Sequence, residues 1–371
     1  MSDEQILDLI LGRTPFIDVR APEEFFAGHV PGSVNLPLLD DEQRKVVGTT
    51  YKKRGQDAAI EVGLGFISGE TRRSRIAGWK EFAGRHPGSV LYCFRGGLRS
   101  QSVRLALLEE GIELPLVDGG YKRVRQLLMN EIERISLERS FAVVSGYTGS
   151  GKTDLLAALP ARIPHVDIEA LAHHKGSAFG KWTVPQPQQA DFENALAVAL
   201  LRAERMGGGT QENPILVEDE SRTIGRSVLP LTYFQSVSRA PIYFVERSAQ
   251  ERARYLIESY LLSNYGLAQG EKNEEKLAAL RADLERNVRA IEKRLGGADM
   301  ARMLAQIAEA MSAHERTGDA SAHFEWVMWL LVRYYDPQYA HHFDRIKERV
   351  VFSGTWAEVF ERLGGKIENG K

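Results

Sequence analysis

"RSFAVVSGYTGSGKTDLLAAL", residues 139–159, joins an apolar run to a glycine-rich turn and then to a helix-like run. Within it, Gly146 to Thr153 satisfies Gly-x4-Gly-Lys-Thr. A strand before this pattern and a helix after it are the context of a phosphate-binding loop. In such a loop the backbone amides of Gly146, Thr148, Gly149, Ser150 and Gly151 wrap a diphosphate, and Lys152 reaches the outer phosphates. Thr153 can hold Mg2+. The next apolar strand, "PILVEDE" (214–220), carries Glu218, Asp219 and Glu220 at its carboxyl end, where one acid could bind the metal or its water. The sequence leaves open which one. Beyond it, Arg222 and Arg226 are equally readable as phosphate clamps or as surface residues. The motif reads a diphosphate; no adenine-reading pattern accompanies it.

Outward from this loop, further strands are expected at 165–168 and 241–247, which makes an α/β domain with a parallel sheet. From 248 to about 316 the chain is rich in Ala, Glu, Arg and Leu and is expected to be helical. An aromatic-rich helix over 324–339 follows. Its residues Phe324, Trp326, Trp329, Tyr334 and Tyr335 are most simply core, with a greasy pocket or a stacking surface as the other reading. His173 and His174 are adjacent, so their side chains diverge, and no metal site is expected there. Lys175, Gly176 and Ser177 are better read as a substrate-binding loop.

The first 125 residues repeat the alternation of short strands and helices. Strands are expected at 15–20, 89–94 and 114–121, a helix and turn over 21–37, and a helix over 99–111. Residues 126–138 continue a charged connecting helix. The expected domains are therefore 1–125, the connector 126–138, and 139–371. Cys93, the single cysteine of the chain, falls at the carboxyl end of a strand in "LYCFRGGLRSQS" (91–102). Gly96 and Gly97 permit a backbone nest around the sulfur, the following helix adds its positive end, and Arg95 and Arg99 add fixed charge. Each of these favours thiolate, which makes Cys93 a nucleophile. A buried structural cysteine is the plainer alternative, but it calls for neither glycines nor arginines.

The 371 residues carry a formal net charge of −2, so no whole-molecule attraction to polyanions exists. Basic clusters lie at 51–54 (Lys52, Lys53, Arg54), at 72–75 (Arg72, Arg73) and at 121–125. They make an RNA footprint if they share a face. One cysteine excludes an internal disulfide, the opening "MSDEQILDLILGRTP" lacks the order of a secretory signal, and no apolar run approaches membrane-spanning length. A cytoplasmic protein is expected.

"FIDVRAPEEFFAGHVPGSVNLP", the cysteine loop and "DGGY" together resemble a rhodanese domain over about residues 5–125. The departure is that Arg99 stands six residues after Cys93 rather than five, a longer loop that would admit a bulkier guest. With "VGTTYKKRGQDAAIEVG" (47–63), "GYTGSGKT", "DIEALAHHKGSAFG", "PQPQQADFEN", "VEDESRTIG" and "YYDP", the whole chain resembles the tRNA 2-selenouridine synthase family. The resemblance implies two steps on thiolated wobble uridine of tRNA. Geranyl diphosphate alkylates the sulfur, and selenium from selenophosphate then replaces the geranylthio group. It implies that the phosphate loop stabilises departing diphosphate and that Cys93 carries selenium. It also implies a transient selenophosphate-supplying enzyme as partner. Gly63 would allow close approach of tRNA or loop, or is a mere turn. Three rivals stay open at this point. One is an ATP-dependent tRNA sulfurtransferase, another a Cys-x5-Arg phosphatase fused to a kinase-like domain, and the third a non-catalytic RNA-binding module.

Overall fold

The computed structural model describes residues 1–175 and 184–365. The chain forms two compact units, Met1–Ile135 with Pro187–Arg202, and Ser136–Gln186 with Ala203 onward.

In the first unit, α1 (Asp3–Leu11) is capped by Ser2 and Gln5 in a reciprocal capping box and leads into β1 (Phe16–Asp18). Then come α2 (Pro22–Phe26) and β2 (Ser33–Asn35), a strand within the stretch expected to be only helix and turn. Residues 40–88, in which the sequence showed little beyond basic clusters, form α3 (Asp41–Arg54), α4 (Gln56–Phe66) and α5 (Gly69–Arg85). β3 (Val90–Tyr92) ends at Cys93, and α6 (Leu98–Glu109) and α7 (Gly120–Glu138) follow. The three strands are parallel in the order β2-β1-β3. The strand expected over 114–121 is reduced to one bridge, Leu91 to Leu116, because Gly119 and Gly120 turn the backbone into α7.

A buried ion pair centres this unit. Asp18 and Arg20 are 0% and 1% exposed, and Arg20 also donates to the carbonyl of Gly28 at 2.7 Å and lies over the Tyr121 ring. Residues 187–202, expected to belong with the phosphate loop, join this unit through polar contacts. The backbone N–H of His29 donates to Asp191 at 2.8 Å, and Asn194 donates to the carbonyl of His29 at 2.8 Å and to the Tyr121 hydroxyl at 3.3 Å.

The second unit is a five-stranded parallel sheet flanked by helices. Its elements are β4 (Phe141–Ser145), α8 (Lys152–Ala158), β5 (His165–Val166), α9 (Ile168–Ala172), α10 (Gln189–Arg205, whose first part belongs to the other unit) and β6 (Ile215–Glu218). A small hairpin follows, β7 (Thr223–Ile224) and β8 (Ser227–Val228), then α11 (Leu231–Val237) and β9 (Ile242–Glu246). The helical part holds α12 (Ala249–Leu256), α13 (Glu274–Ala290), α14 (Glu292–Leu295), α15 (Gly297–Thr317), α16 (Phe324–Leu330) and α17 (Asp336–Ile346). It packs its own core of Leu, Ile, Met and Trp326. The strand β10 (Val350–Thr355) closes the sheet beside β9, and α18 (Trp356–Arg362) follows. The order β10-β9-β4-β6-β5 puts the ends of β4 and β6 side by side, the place where parallel sheets bind ligands. Among the described residues no helix is long and apolar enough to cross a membrane.

Candidate functional site

Two sites emerge, one in each unit. In the first, β3 delivers Cys93 to the foot of α6. The residue is 3% exposed, yet it lines a cavity of about 1160 Å3. Its Sγ receives the Ser100 hydroxyl at 3.2 Å and faces the carbonyl of Gly97 at 3.9 Å. Burial pushes the thiol up, but the Ser100 hydroxyl and the amides of Ser100 and Arg95 outweigh it, with Arg99 adding a smaller push. The thiol lies below its ordinary value.

The arginines divide. Arg95 supplies its amide while its guanidinium lies in solvent near Phe94. Arg99 is tied through both terminal nitrogens to Glu24, so much of its charge is spent there rather than on the sulfur. The loop is clamped from the other side by α7, whose Tyr121 and Lys122 amides donate to the carbonyls of Cys93 and Phe94 at 2.9 and 3.0 Å. That clamp needs glycine: a Cβ on Gly120 would lie 2.2 Å from the Cys93 carbonyl oxygen.

Several members of the basic clusters are engaged by acids. Arg123 pairs with Asp3, Arg125 with Glu193, and Arg72 with Glu109. Lys52, Lys53 and Arg54 remain exposed at the end of α3, Arg73 is exposed on α5, and Gly63 lines the cavity from α4.

The second site is a cavity of about 420 Å3 at the phosphate loop. Gly149 has φ +83°, and a Cβ there would press on Leu256 and the Arg252 carbonyl, so the loop requires glycine. Thr148, Gly149, Gly151, Lys152 and Thr153 line the cavity; Ser150 is buried behind it. The Gly146 amide is held by the Tyr339 hydroxyl at 3.3 Å, and Lys152 Nζ rests on the Gly146 carbonyl at 3.0 Å.

The three acids after β6 separate by environment. Asp219 accepts from Ser145, Tyr339 and His342 at 2.6, 2.9 and 3.0 Å, and although burial alone would raise it, these partners hold it down to about 2. It lines the cavity as a saturated anchor for α17. Glu218 and Glu220 instead crowd against Glu169 of α9, whose Oε2 accepts the Thr153 hydroxyl at 2.9 Å. Burial and mutual repulsion raise Glu169 to about 8 and Glu220 to about 7, and hold Glu218 well above its ordinary value. Glu218 Oε1 is buried and has no hydrogen-bond partner.

This donor set suits a magnesium ion. Carboxylate oxygens and the Thr153 hydroxyl are hard ligands, and a bound cation would relieve the orphaned oxygen and the raised acids. Among the described residues no group of three acidic, His or Cys side chains is arranged to hold a metal alone, so substrate phosphates and water would supply the remaining ligands. Arg222 is exposed and outside the cavity, and Arg226 donates to the Gln186 carbonyl. The sequence missed Glu169, Arg294, Tyr255, Tyr339 and His342, all of which line the cavity. Two quoted motifs touched the site: "DIEALAHHKGSAFG" holds Glu169, and in "YYDP" Tyr334 and Tyr335 line the cavity while Asp336 grips Arg252 through both oxygens. Trp326, by contrast, is core. Lys175 lines the cavity and donates to Ser259; Gly176 and Ser177 lie outside the described residues.

Fold and sites thus define a rhodanese-like domain joined to a phosphate-loop domain. Residues 2–127 match the rhodanese-like domain model, and residues 139–369 match the model of the tRNA 2-selenouridine synthase AAA domain. The chain belongs to the tRNA 2-selenouridine synthase family. It is 44% identical to the tRNA 2-selenouridine synthase of Hahella chejuensis, over 96% of this chain and 92% of that protein. Those of Cupriavidus pinatubonensis and Shewanella piezotolerans are 43% and 41% identical, each over 96% of both chains.

Proposed function

We propose that this protein is a cytoplasmic transferase that converts 2-thiouridine at the wobble position of tRNA to 2-selenouridine, through an S-geranyl intermediate. The thiocarbonyl sulfur attacks carbon 1 of geranyl diphosphate, the carbon–oxygen bond breaks, and diphosphate leaves. Lys152 and the loop amides stabilise the charge that develops on the departing group. Thr153, with a carboxylate oxygen from Glu169 or Glu220 and the substrate's own phosphates, would hold Mg2+, which would supply further charge neutralisation when bound.

Alkylation turns sulfur into a leaving group. The Cys93 thiolate adds at carbon 2 and expels geranylthiolate. Selenium from selenophosphate then displaces Cys93, and water opens the phosphorus–selenium bond to give phosphate. Each exchange swaps one chalcogen for another at carbon 2 without redox change. A selenium-loaded Cys93 formed directly from selenophosphate would require an oxidant.

The observation that carries this reading is Cys93 itself, a depressed thiol on the floor of a large open cavity, in a chain that also holds a separate diphosphate loop. Mass spectrometry of thiolated tRNA incubated with geranyl diphosphate and selenophosphate tests it. Cys93→Ala should accumulate the geranylated base and make no selenated base. Lys152→Ala should slow geranylation by about 100-fold or more. Equal loss of both products from each variant would break the division of labour, and ATP consumption per turnover would favour the sulfurtransferase reading.

A further inference from the structure

The cavity over Cys93, about 1160 Å3, exceeds the roughly 300–1,000 Å3 of an ordinary small-molecule pocket and is far larger than an inorganic anion needs. Its wall is mixed, with Glu23, Glu24, Asp41 and Glu42 among the lining residues, but much of it is apolar and part of that apolar surface is exposed. Tyr51 of α3 is 58% exposed, Leu64 of α4 62% and Leu98 at the cysteine loop 50%, with Ile60 and Phe94 beside them. Ile60, Gly63 and Leu64 share one face of α4, and that face lines the cavity together with Ile67 just past the helix end. Gly63 adds no side chain to this face, although a Cβ there would fit, meeting only Val47 at 3.8 Å. Apolar surface left bare on a soluble fold marks a binding site. Charge along α3 is polarised, with Asp41 and Glu42 in its first turn and Lys52, Lys53 and Arg54 in its last.

A greasy wall, a cationic rim at one end and a thiolate on the floor suit one kind of ligand, an apolar chain carried on a polyanion. Resting on the function proposed above, we propose that this cavity seats the S-prenylated nucleotide. The terpene chain lies along the α4 face, the RNA phosphates meet the Lys52–Arg54 end of α3, and carbon 2 is presented to Cys93. The prenyl group then does two jobs. It activates sulfur for departure, and it is the handle by which only the alkylated base is held at the thiolate. Loss of geranylthiol removes the handle, so the selenated product is released rather than recycled.

The test is binding of the full chain to anticodon stem-loop RNAs carrying 2-thiouridine, S-methyl-2-thiouridine or S-geranyl-2-thiouridine, read by fluorescence anisotropy without co-substrates. Nine extra carbons buried on an apolar wall should make the geranylated RNA bind about tenfold tighter or more than the methylated one. Ile60→Ser with Leu64→Ser should erase that preference, and Leu64→Met should keep it. Both positions are exposed, and a thermal melt checks that the double variant folds. Equal affinity for the two alkylated RNAs, or a preference that Ile60 and Leu64 do not alter, would overturn the assignment. Single-turnover selenation of pre-geranylated RNA separates this from the parent reading. If wild type selenates it and the double variant does so equally well, the pocket falls and the function stands. If wild type binds with the Leu64-dependent preference but forms no selenated base, the pocket stands and the two-step function falls.

Discussion

At Cys93 two opposing influences meet, since burial favours the neutral thiol while the Ser100 hydroxyl and two backbone amides favour the anion. The Ser100 hydroxyl has one proton, and two acceptors lie within reach, the Gly97 carbonyl at 3.1 Å and Sγ at 3.2 Å. Ionisation draws that proton to sulfur. Ser100→Ala should therefore move the pH profile of Cys93 alkylation by iodoacetamide to higher pH; an unshifted profile would assign the depression to the amides alone. Gly120 makes the complementary prediction. With φ +57° and no room beside the Cys93 carbonyl, Gly120→Ala should cost about 2–4 kcal/mol in urea unfolding and slow selenation while sparing geranylation. Cys93 was legible in sequence because its loop is contiguous. Ser100, seven residues on, and Gly120, twenty-seven on, act through folding: a helix must start at Leu98 before the hydroxyl points at sulfur.

At the scale of elements, strands β4, β6 and β9 were legible because buried parallel strands are continuous apolar runs. The α3–α4 pair was not. Helix α3 has no buried residue and α4 only Ala59, most of their apolar residues lining the cavity, so there is little burial for a sequence pattern to report. Helix α9 was legible only as part of the motif "DIEALAHHKGSAFG", with no role attached to Glu169, although it brings that residue against Thr153, Glu218 and Glu220. The stability consequence has a definite sign. Glu169 at about 8 and Glu220 at about 7 sit above their ordinary 4.5, so the folded state holds protons that the unfolded state has released. Metal-free protein should lose stability as pH rises from about 5 to 8, by at most about 1.4 kcal/mol per pH unit for each such proton. Glu169→Gln removes the charge while its amide can still meet the Thr153 hydroxyl. Its melting temperature should exceed wild type at pH 8 and match it at pH 5, and Mg2+ with diphosphate should raise the wild type more than the variant.

Across the whole molecule, the chain does not divide where its motifs do. The phosphate-loop segment is interrupted by residues 187–202, which belong to the cysteine-loop unit. Composition could not reveal this, because α10 reads as one ordinary helix although all but its last three residues fall in the first unit. The structure explains why "PQPQQADFEN" stands out in the sequence. Phe192 is 0% exposed, Asp191 caps the His29 amide, and Asn194 links Tyr121, Arg125 and the His29 carbonyl. Cutting after residue 138 removes all of these while leaving their partners half-buried, at about 1–3 kcal/mol for each polar group stranded. A fragment of residues 1–138 should therefore melt well below the first transition of the full chain. A synthetic peptide of residues 185–205 should raise that melting temperature in a saturable way. The same peptide with Asp191→Ala and Asn194→Ala should not. If the bare fragment melts with the intact chain, or both peptides act alike, residues 187–202 contribute nothing specific to the cysteine-loop unit. If only the native peptide rescues, the thiolate and its cavity depend on a segment that the sequence assigns to the other site.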